Sequence, residues 1–332
     1  MAEQITYIES TQYDPYWNLA LEEYLLMHCK KQEHILYLWQ NARTIVAGRN
    51  QNVWKECKAA ELKRDGGHVA RRLSGGGAVY HDLGNLNFTF VAQKGGYDLD
   101  KQMEVILRAV RKLGVPAERS GRNDILADGG KISGNAYYET DGRCYHHGTL
   151  MVDVNLEELT KYLTVSKEKL KSKGIDSVRS RVKNLSDYEP DLTVESLKNA
   201  LKESFEDVYG YTVKEKKEKD LDQKELEALH EKFRSWEWIY GRKIDFQYEM
   251  EKRFPWGQVE LRLRVEGGRI EEAQAYSDAL RPEIIQEISR RLKNVRYNNC
   301  DIRAGLDLYR PSDQEGKAMM EDVRGWLGAV EL

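Results

Sequence analysis

Three consecutive glycines follow two arginines in residues 71–77, Arg-Arg-Leu-Ser-Gly-Gly-Gly. Glycine has no side chain, so the backbone N–H groups of such a run can approach an anion closely. The guanidinium of Arg72 adds a planar set of donors that suits a phosphate or a carboxylate. These residues favour a phosphate-binding loop, although a glycine triplet is also typical of a plain flexible turn.

The loop matches neither of the two common nucleotide-binding motifs. A P-loop requires Ser or Thr after Gly-Lys, but the Gly-Lys pairs at 130–131 and 316–317 are followed by Ile and Ala. The dinucleotide motif Gly-x-Gly-x-x-Gly would need a third glycine where Tyr80 stands. Any phosphate site here is therefore of a different kind.

A second group of candidates surrounds Lys131, which lies among Gly129, Gly130 and Gly134. A lysine held against tight backbone turns can place its ammonium on a phosphate or on a developing oxyanion. A surface lysine in a hairpin turn explains the same pattern. Asp124 is a candidate Mg²⁺ ligand or, equally, a turn residue.

Two adjacent histidines, His146 and His147, follow on a predicted strand. Neighbouring strand residues point to opposite faces, so this pair does not suit one metal ion, and structural or substrate-orienting roles are favoured. Cys144 beside them allows a cysteine nucleophile as an alternative. The basic segment 174–184 is either a loop that closes over a charged ligand or a plain basic loop.

The length and composition of the chain argue against several classes of protein. The 332 residues are long enough for two domains, and a net charge of −3 argues against a dedicated nucleic-acid binder. No run approaches the ~18 apolar residues of a membrane span, and no secretory signal is apparent. The four cysteines form no Cys-x-x-Cys pair, so we expect a reduced, cytoplasmic setting.

Apolar periodicity predicts the elements that must position these residues. Helices are expected over the following ranges: 17–29, 56–64, 99–113, 156–163, 194–209, 221–233, 282–293 and 314–328. Strands or tight turns are expected over these: 35–39, 44–48, 87–92, 124–127, 131–138, 148–154, 259–265 and 269–276. The strands are short and paired without a βαβ rhythm, which favours an α+β fold. The mixed charge run 214–224 is expected to be a solvated connection, and a domain boundary is expected between 241 and 255.

Taken together, several ordered segments resemble the bacterial lipoate–protein ligase A family. They are the loop from Arg71 to Asn85, Gly121-Arg122-Asn123-Asp124, Lys131-Ile132-Ser133-Gly134, His146 to Leu150, and Ser177 to Val182. The resemblance continues through Ser235 to Trp238 and into the last hairpin, so it covers nearly the whole chain.

The resemblance implies an adenylating ligase with the α+β fold of the biotin/lipoate ligase type. A large catalytic domain with mixed sheets and flanking helices would span residues 1–245, and a small α+β accessory domain residues 246–332. Such enzymes join lipoic acid to ATP, with Mg²⁺, giving lipoyl-AMP and pyrophosphate. They then pass the lipoyl group to a lysine of an acceptor domain, in E2 subunits of 2-oxoacid dehydrogenases or in the glycine cleavage H protein. No nucleic acid or membrane partner is implied.

By motif position, the resemblance assigns roles to particular residues. Lys131 is implied to be the catalytic lysine that contacts the lipoyl carbonyl and the α-phosphate. Besides Lys131, the implied ATP contacts are Arg72, Gly75, Gly76, Gly77, Ala78, Val79, Tyr80, Asn85, Ser177 and Arg181. The implied lipoate contacts are Arg72, Lys131, Gly134 and His147, and Asp124 is a candidate metal ligand. The apolar lipoyl tail needs a slot, for which the residues around Trp39, Val46, Ala47 and Gly48 are candidates.

Three alternatives stay open on the sequence. The first is an ATP-independent lipoyl or octanoyl transferase on the same fold, with Cys57 or Cys144 as the nucleophile. The second is a nucleotide-binding regulatory protein without catalysis. The third is a biotin ligase, but its Gly-Arg-Gly-Arg-x-Gly loop is absent, since residues 48–51 depart from it after two positions.

Overall fold

The computed structural model describes residues 4–121, 124–164, 182–241 and 246–330. The strands in this part of the chain are β1 (Gln4–Glu9), β2 (Glu33–Trp39), β3 (Thr44–Ala47), β4 (His68–Arg71), β5 (Val79–His81), β6 (Asn85–Gln93), β7 (Ala117–Ser120), β8 (Asp124–Ala127), β9 (Gly130–Thr140), β10 (Arg143–Met151), β11 (Lys214–Glu215), β12 (Tyr248–Phe254), β13 (Gly257–Glu266) and β14 (Arg269–Ser277). Its α-helices are α1 (Pro15–His28), α2 (Val53–Glu56), α3 (Ala59–Arg64), α4 (Leu99–Lys112), α5 (Leu156–Tyr162), α6 (Val194–Tyr209), α7 (Gln223–Arg234), α8 (Trp236–Tyr240), α9 (Pro282–Leu292), α10 (Asn299–Asp307) and α11 (Gln314–Ala329).

The described residues divide into two units. The N-terminal unit contains residues up to 46, 56–71 and 79–239. The C-terminal unit contains 47–55, 72–78 and the residues from 240 onward. Two short segments from the first third of the chain, 47–55 and 72–78, therefore belong to the C-terminal unit. The second of these segments contains the glycine triplet.

An eight-stranded mixed sheet is the frame of the N-terminal unit, in the order β11-β1-β2-β6-β10-β9-β8-β7. β1 pairs in parallel with β2 and β11, and the remaining pairs are antiparallel. β2 is buried at every position and β6 at all but its last, because helix α1 packs on one face of the sheet and α4 and α6 on the other. This explains why both strands are apolar or aromatic over most of their length.

Two long helices of this unit begin at sequence signals that predict them. Asp14 precedes α1 and accepts a hydrogen bond from the backbone N of Tyr16 at 2.8 Å, with Pro15 in the first turn. Asp98 caps α4 in the same way through the N of Lys101. The helices predicted at 17–29 and 99–113 are thereby confirmed to within two residues.

A smaller three-stranded sheet, in the order β4-β3-β5, lies in the same unit apart from the last residue of β3. β3 and β5 are antiparallel, with Ile45 opposite Tyr80. Helix α5 follows, with Asn155 accepting hydrogen bonds from two backbone N–H groups of its first turn. The chain between β4 and β5 is the arginine and glycine loop.

The last third of the chain builds the C-terminal unit around the antiparallel sheet β12-β13-β14. The hairpin between β13 and β14 turns at Gly267 and Gly268, both with positive φ, as the Gly-Gly pair predicts. Helices α9, α10 and α11 cover the inner face of this sheet, and the apolar residues of both layers form one core. The small α+β fold expected for the end of the chain is confirmed.

Two expectations about local structure were wrong. The single helix expected at 56–64 is instead α2 and α3, separated at Cys57, whose backbone makes a bridge to Leu163. The charge run 214–224 is not simply a solvated connection, because β11 adds a parallel edge strand beside β1. In both places a long-range backbone pairing overrode the local pattern. A domain boundary at residue 245 stays a prediction.

Candidate active site

Lys131 lies at the start of β9, directly after the tight turn from β8. Its Nζ atom is 2.7 Å from Oδ1 of Asp124 on β8, and about a third of each side chain is exposed. Its carbonyl oxygen accepts a hydrogen bond from the N of Lys183 at 2.9 Å. A Cβ atom at Gly134 would lie 3.0 Å from Nζ, so glycine there leaves room for the ammonium group. Contacts therefore hold both the backbone and the ammonium group of Lys131, and its side chain is still open to a ligand.

Asp124 is the candidate metal ligand, and its carboxylate is paired with Lys131. Within the described ranges, no three His, Cys, Asp or Glu side chains are grouped in a way that could hold a metal ion. Asp124 is the carboxylate that the described part of the chain places beside Lys131. That donor set suits Mg²⁺ carried on phosphate oxygens, since Mg²⁺ commonly keeps waters and takes only one or two protein carboxylates.

A buried polar network lies on the face of the large sheet that α1 covers. Glu22 of α1 is 1% exposed. Its Oε1 atom is 2.7 Å from Nδ1 of His147 and accepts a hydrogen bond from Oγ1 of Thr89 at 2.7 Å. The indole N–H of Trp39 donates to the same Thr89 oxygen at 3.0 Å. The carboxylate thereby fixes His147, a predicted lipoate contact, and ties it to Trp39, a predicted slot residue.

Two members of this network, Glu22 and Thr89, were not predicted. The available signal was a pair of acidic residues, Glu22 and Glu23, inside the apolar stretch Leu-Ala-Leu-Glu-Glu-Tyr-Leu-Leu of α1. A carboxylate in such a stretch is either exposed or buried with a partner. The sequence does not show that the partner lies 125 residues away.

His146 points to the opposite face from His147, as the strand alternation predicts. Its Nε2 atom is 2.8 Å from Oδ1 of Asn135, and its Nδ1 atom is 3.2 Å from Oε1 of Gln102 on α4. Complete burial lowers the pKa of His146 to about 3, so the ring is neutral at physiological pH. The two histidines have separate surroundings and do not form one site.

Arg72 begins the passage of residues 72–78 through the C-terminal unit. Its side chain is 6% exposed and holds the loop together. Nε donates to Oγ of Ser74 at 3.0 Å, and Nη2 donates to the carbonyl oxygens of Gly75 at 2.6 Å and Gly77 at 2.8 Å. The guanidinium therefore shapes the glycine loop from within.

Two of the three glycines are required by the local structure of the C-terminal unit. Gly76 has φ +89° and donates its N–H to the carbonyl oxygen of Ala279 at 2.9 Å. A Cβ atom at Gly75 would lie 2.3 Å from that same oxygen. A Cβ atom at Gly48 would lie 2.1 Å from the carbonyl oxygen of Gly76. Close backbone packing therefore accounts for Gly75 and the positive φ for Gly76, whereas a Cβ atom at Gly77 would meet open space.

The remaining predicted nucleotide contacts follow this loop. Ala78 ends it, Val79 and Tyr80 begin β5, and Asn85 is the first residue of β6. Tyr80 is buried, and its hydroxyl donates to the carboxylate of Glu158 on α5. Burial raises the pKa of Tyr80 above its usual range. Ser177 and Arg181, the other two predicted contacts, lie outside the described residues.

The candidate nucleophiles of the transferase alternative are both buried. Burial raises the pKa of the Cys57 thiol to about 11, and that of Cys144 to about 11 as well. A thiol with such a pKa is almost fully protonated at neutral pH, whereas the thiolate is the nucleophile. Neither cysteine has the properties of an activated nucleophile.

Among the slot candidates, Trp39 is buried at the end of β2, and Val46 and Ala47 are buried at the end of β3. Gly48 follows directly. Of the helices in the described ranges, none combines the length and the apolar character that crossing a bilayer requires.

Comparison with known proteins identifies the family. The model of the lipoyl protein ligase A/B catalytic domain matches residues 14–206, which is more than half of the chain. The model of the bacterial lipoate protein ligase C-terminus matches residues 243–327. The chain belongs to the lipoate–protein ligase family. It is an enzyme of the ligase class, and the α+β fold expected from the resemblance is confirmed.

Individual lipoate ligases are similar over most of their length. Lipoate-protein ligase A of Psychrobacter cryohalolentis is 40% identical over 328 residues, covering 96% of this chain and 97% of the relative. The crystal structure of P. falciparum LipL1 in complex with lipoate has a TM-score of 0.87 at 31% identity, covering 98% of this chain and 99% of that one.

Two further ligase structures match a smaller part of the chain. A bipartite archaeal ligase, described with its E2 lipoyl domain from Thermoplasma acidophilum, has a TM-score of 0.63 at 28% identity and covers 74% of this chain and 99% of its own. A lipoate-protein ligase A bound with ATP has a TM-score of 0.62 at 26% identity, and the match covers 73% of this chain and 99% of that one.

Proposed function

We propose that this ligase activates lipoic acid with ATP and then transfers the lipoyl group to a lysine of an acceptor protein. The observation that carries the proposal is Lys131, a partly exposed cation fixed by Asp124 and given space by Gly134. Support also comes from relatives whose structures contain lipoate or ATP.

In the first step the carboxylate of lipoic acid attacks the α-phosphorus of ATP, and pyrophosphate leaves. Two anions must approach each other, so a cation beside the reacting oxygens lowers the barrier. The ammonium of Lys131 would supply this charge, and Arg72 with the glycine loop is proposed to bind ATP. Mg²⁺, when bound with the nucleotide, would offset the charge on the phosphate oxygens, and Asp124 is the residue proposed to hold it.

In the second step the amine of the acceptor lysine attacks the acyl carbon of lipoyl-AMP. Negative charge then develops on the acyl oxygen, and the same Lys131 ammonium would stabilise it. One cation therefore serves both half-reactions. Ser177 and Arg181 remain predicted contacts of the adenylate.

The lipoyl tail is proposed to lie on the sheet face that α1 covers, beside Trp39 and His147. An apolar slot with a few fixed polar groups is typical of small-molecule sites. The Glu22 carboxylate would keep His147 in one orientation towards the tail. Val46, Ala47 and Gly48 stay candidate slot residues.

The proposed acceptors are the lipoyl domains of 2-oxoacid dehydrogenase E2 subunits and the glycine cleavage H protein. An archaeal relative was solved in a study of a ligase and its E2 lipoyl domain, which supports the first of these. A cytoplasmic location stays a prediction.

Pyrophosphate release from the purified protein with ATP, Mg²⁺ and lipoic acid, without any acceptor, tests the proposal. We expect release that depends on lipoate and is lost in Lys131→Ala. An absence of release, together with acyl transfer from a loaded carrier to an acceptor domain, would establish the transferase alternative instead.

A further inference from the structure

Two buried asparagines of β6 have polar atoms that the chain does not satisfy. Asn85 and Asn87 are each 1% exposed. Nδ2 of Asn85 donates to Oδ1 of Asn87 at 3.0 Å. Within the part of the chain that the structure describes, Oδ1 of Asn85 and Nδ2 of Asn87 have no hydrogen-bond partner. A buried polar atom without a partner is costly, so its presence needs an explanation such as a ligand.

An unused donor and an unused acceptor remain in either orientation of the two amide groups, and the orientation decides which residue carries the donor. Oxygen and nitrogen of an asparagine amide are assigned from their hydrogen bonds. If both amides were reversed, Asn87 would donate to Asn85, and one acceptor and one amide donor would still be left over. In the orientation found here, the unused donor belongs to Asn87.

The register of the large sheet aligns Asn87 with Thr149 and, through Thr149, with the residues around Lys131. Asn87 lies directly opposite Thr149 on β10, and Oγ1 of Thr149 accepts a hydrogen bond from the N of Gly134 on β9 at 3.2 Å. A Cβ atom at Gly134 would lie 4.0 Å from that hydroxyl and 3.0 Å from Nζ of Lys131. Residues directly opposite in an antiparallel pair share a face, so Asn87, Thr149 and the Lys131 ammonium are on the same side of the sheet.

The row of Asn87, Thr149 and Lys131 extends across three neighbouring strands. β6 and β9 flank β10, so their backbones are two strand spacings apart, about 9.6 Å. On the strand that borders β6 at its other edge, β2, the residue opposite Asn87 is Trp39, a proposed slot residue. Asn87 is therefore between the proposed tail site and the lysine, where the acyl carbon of the substrate would be.

We propose that the side-chain amide of Asn87 is a second hydrogen-bond donor to the acyl oxygen, opposite Lys131. This rests on the proposed function. As the acceptor amine forms its bond to the acyl carbon, the carbonyl π electrons move onto oxygen, where Lys131 and Asn87 both stabilise the charge. The C–O bond to AMP then breaks, AMP leaves with the electron pair, and the ammonium proton passes to water. Asn87 is a catalytic residue in this scheme, and Asn85 positions its amide.

A matched pair of substitutions separates hydrogen bonding from packing. Thr and Val have almost the same shape and both suit a strand, but only Thr keeps a donor. We expect single-turnover transfer from preformed lipoyl-AMP to an E2 lipoyl domain to be about tenfold or more faster in Asn87→Thr than in Asn87→Val, at similar KM for the lipoyl domain.

Asn87→Asp provides a readout that a purely structural role would not change. Its carboxylate can still accept from Asn85 but has no donor at neutral pH, so we expect transfer about 100-fold below wild type at pH 7. Lowering the pH protonates the carboxyl and restores an O–H donor, so the ratio of variant to wild-type rate should rise. Ser204→Ala is the control, because it removes a different buried polar group, a hydroxyl on α6 without a partner among the described residues, and should not change transfer.

Thermal unfolding must first show that each variant folds. Equal transfer rates in Asn87→Thr and Asn87→Val would overturn the inference, as would an Asn87→Asp rate ratio that is constant with pH. The wild-type rate of pyrophosphate release reports separately on the proposed function, while the ratios between variants report on Asn87.

Discussion

The ammonium of Lys131 and the carboxylate of Asp124 form an ion pair of 2.7 Å across the hairpin of β8 and β9. The pair has a clear consequence if Asp124 holds Mg²⁺ during adenylation, because the carboxylate must then be shared with the metal. Lys131 and Asp124 should therefore differ in which half-reaction they affect.

Lys131→Ala should lose activity in both half-reactions. Removing one donor of an oxyanion-type site commonly costs about 3–4 kcal/mol, or 10²–10³ in rate. Lipoate-dependent pyrophosphate release and transfer from preformed lipoyl-AMP measure the two steps separately. A normal transfer rate in Lys131→Ala would contradict the role of this lysine in both half-reactions.

Asp124→Asn should raise the Mg²⁺ concentration that half-saturates adenylation. Transfer from preformed lipoyl-AMP, measured without Mg²⁺, should be less affected by this substitution.

Glu22 and its neighbour Glu23 should differ in their effect on stability. Glu22 is buried, and its carboxylate accepts a hydrogen bond from Thr89 and contacts the ring of His147. Losing it leaves buried donors unpaired, so Glu22→Ala should lower the free energy of unfolding by about 3 kcal/mol. Glu23 pairs with the part-exposed Lys232 at 2.6 Å, and such pairs contribute about 0–1 kcal/mol. Urea unfolding of both variants makes the comparison, and equal losses would show that the buried network adds nothing.

Stability should fall at mildly acidic pH because of His146. Its pKa is lowered to about 3 by burial, below an ordinary value of about 6.5, so the unfolded chain binds a proton that the folded chain rejects. This contribution is complete above about pH 6.5 and is lost as the pH falls towards 3. Between about pH 6.5 and pH 5 the loss should be about 2 kcal/mol. Urea unfolding of wild type and His146→Asn at both pH values tests this, and parallel losses in the two proteins would refute it.

The glycine triplet should tolerate a methyl group at one position and not at another. At Gly75 a Cβ atom would lie 2.3 Å from the carbonyl oxygen of Ala279, whereas at Gly77 it meets open space. Gly75→Ala should therefore destabilise the C-terminal unit by about 2 kcal/mol or more, and Gly77→Ala should leave the unfolding midpoint nearly unchanged. Hydrogen exchange of the backbone N–H of Gly76, which bonds to Ala279, reports on the loop locally.

Cys57→Ala combined with Cys144→Ala should leave adenylation and transfer within a few-fold of wild type. Both thiols have pKa values raised to about 11, so neither is a thiolate at neutral pH. Any alkylation by iodoacetamide should be slow at pH 7 and accelerate as the pH rises towards 11. Loss of transfer in a folded double variant would favour the cysteine-dependent transferase.

Local patterns in the sequence were enough to predict most of the fold. Helix α4 shows apolar residues at helical spacing after an Asp cap, and β13 with β14 forms a hairpin around Gly267 and Gly268, so each is determined by neighbouring residues. The short strand β11 was missed, because it has no apolar alternation and exists through pairing with β1, which lies about 200 residues earlier in the chain.

The candidate site was predictable residue by residue but not as a set of contacts. Lys131 was identified through its flanking glycines and through the family resemblance. The link from His147 to Glu22 spans 125 residues, and no local pattern encodes it. In the same way, nothing near Gly76 in the sequence indicates that its N–H bonds to Ala279. These contacts depend on which surfaces meet when the chain folds.

The bond from Gly76 to Ala279 also bears on how this enzyme could be shortened or divided. The arginine and glycine loop is encoded early in the gene, yet the residues that hold its backbone come about 200 codons later. A truncated protein that stops near residue 245 would keep the loop's sequence and lose its support. During synthesis the same loop has to wait for the last third of the chain to leave the ribosome before its backbone can be fixed.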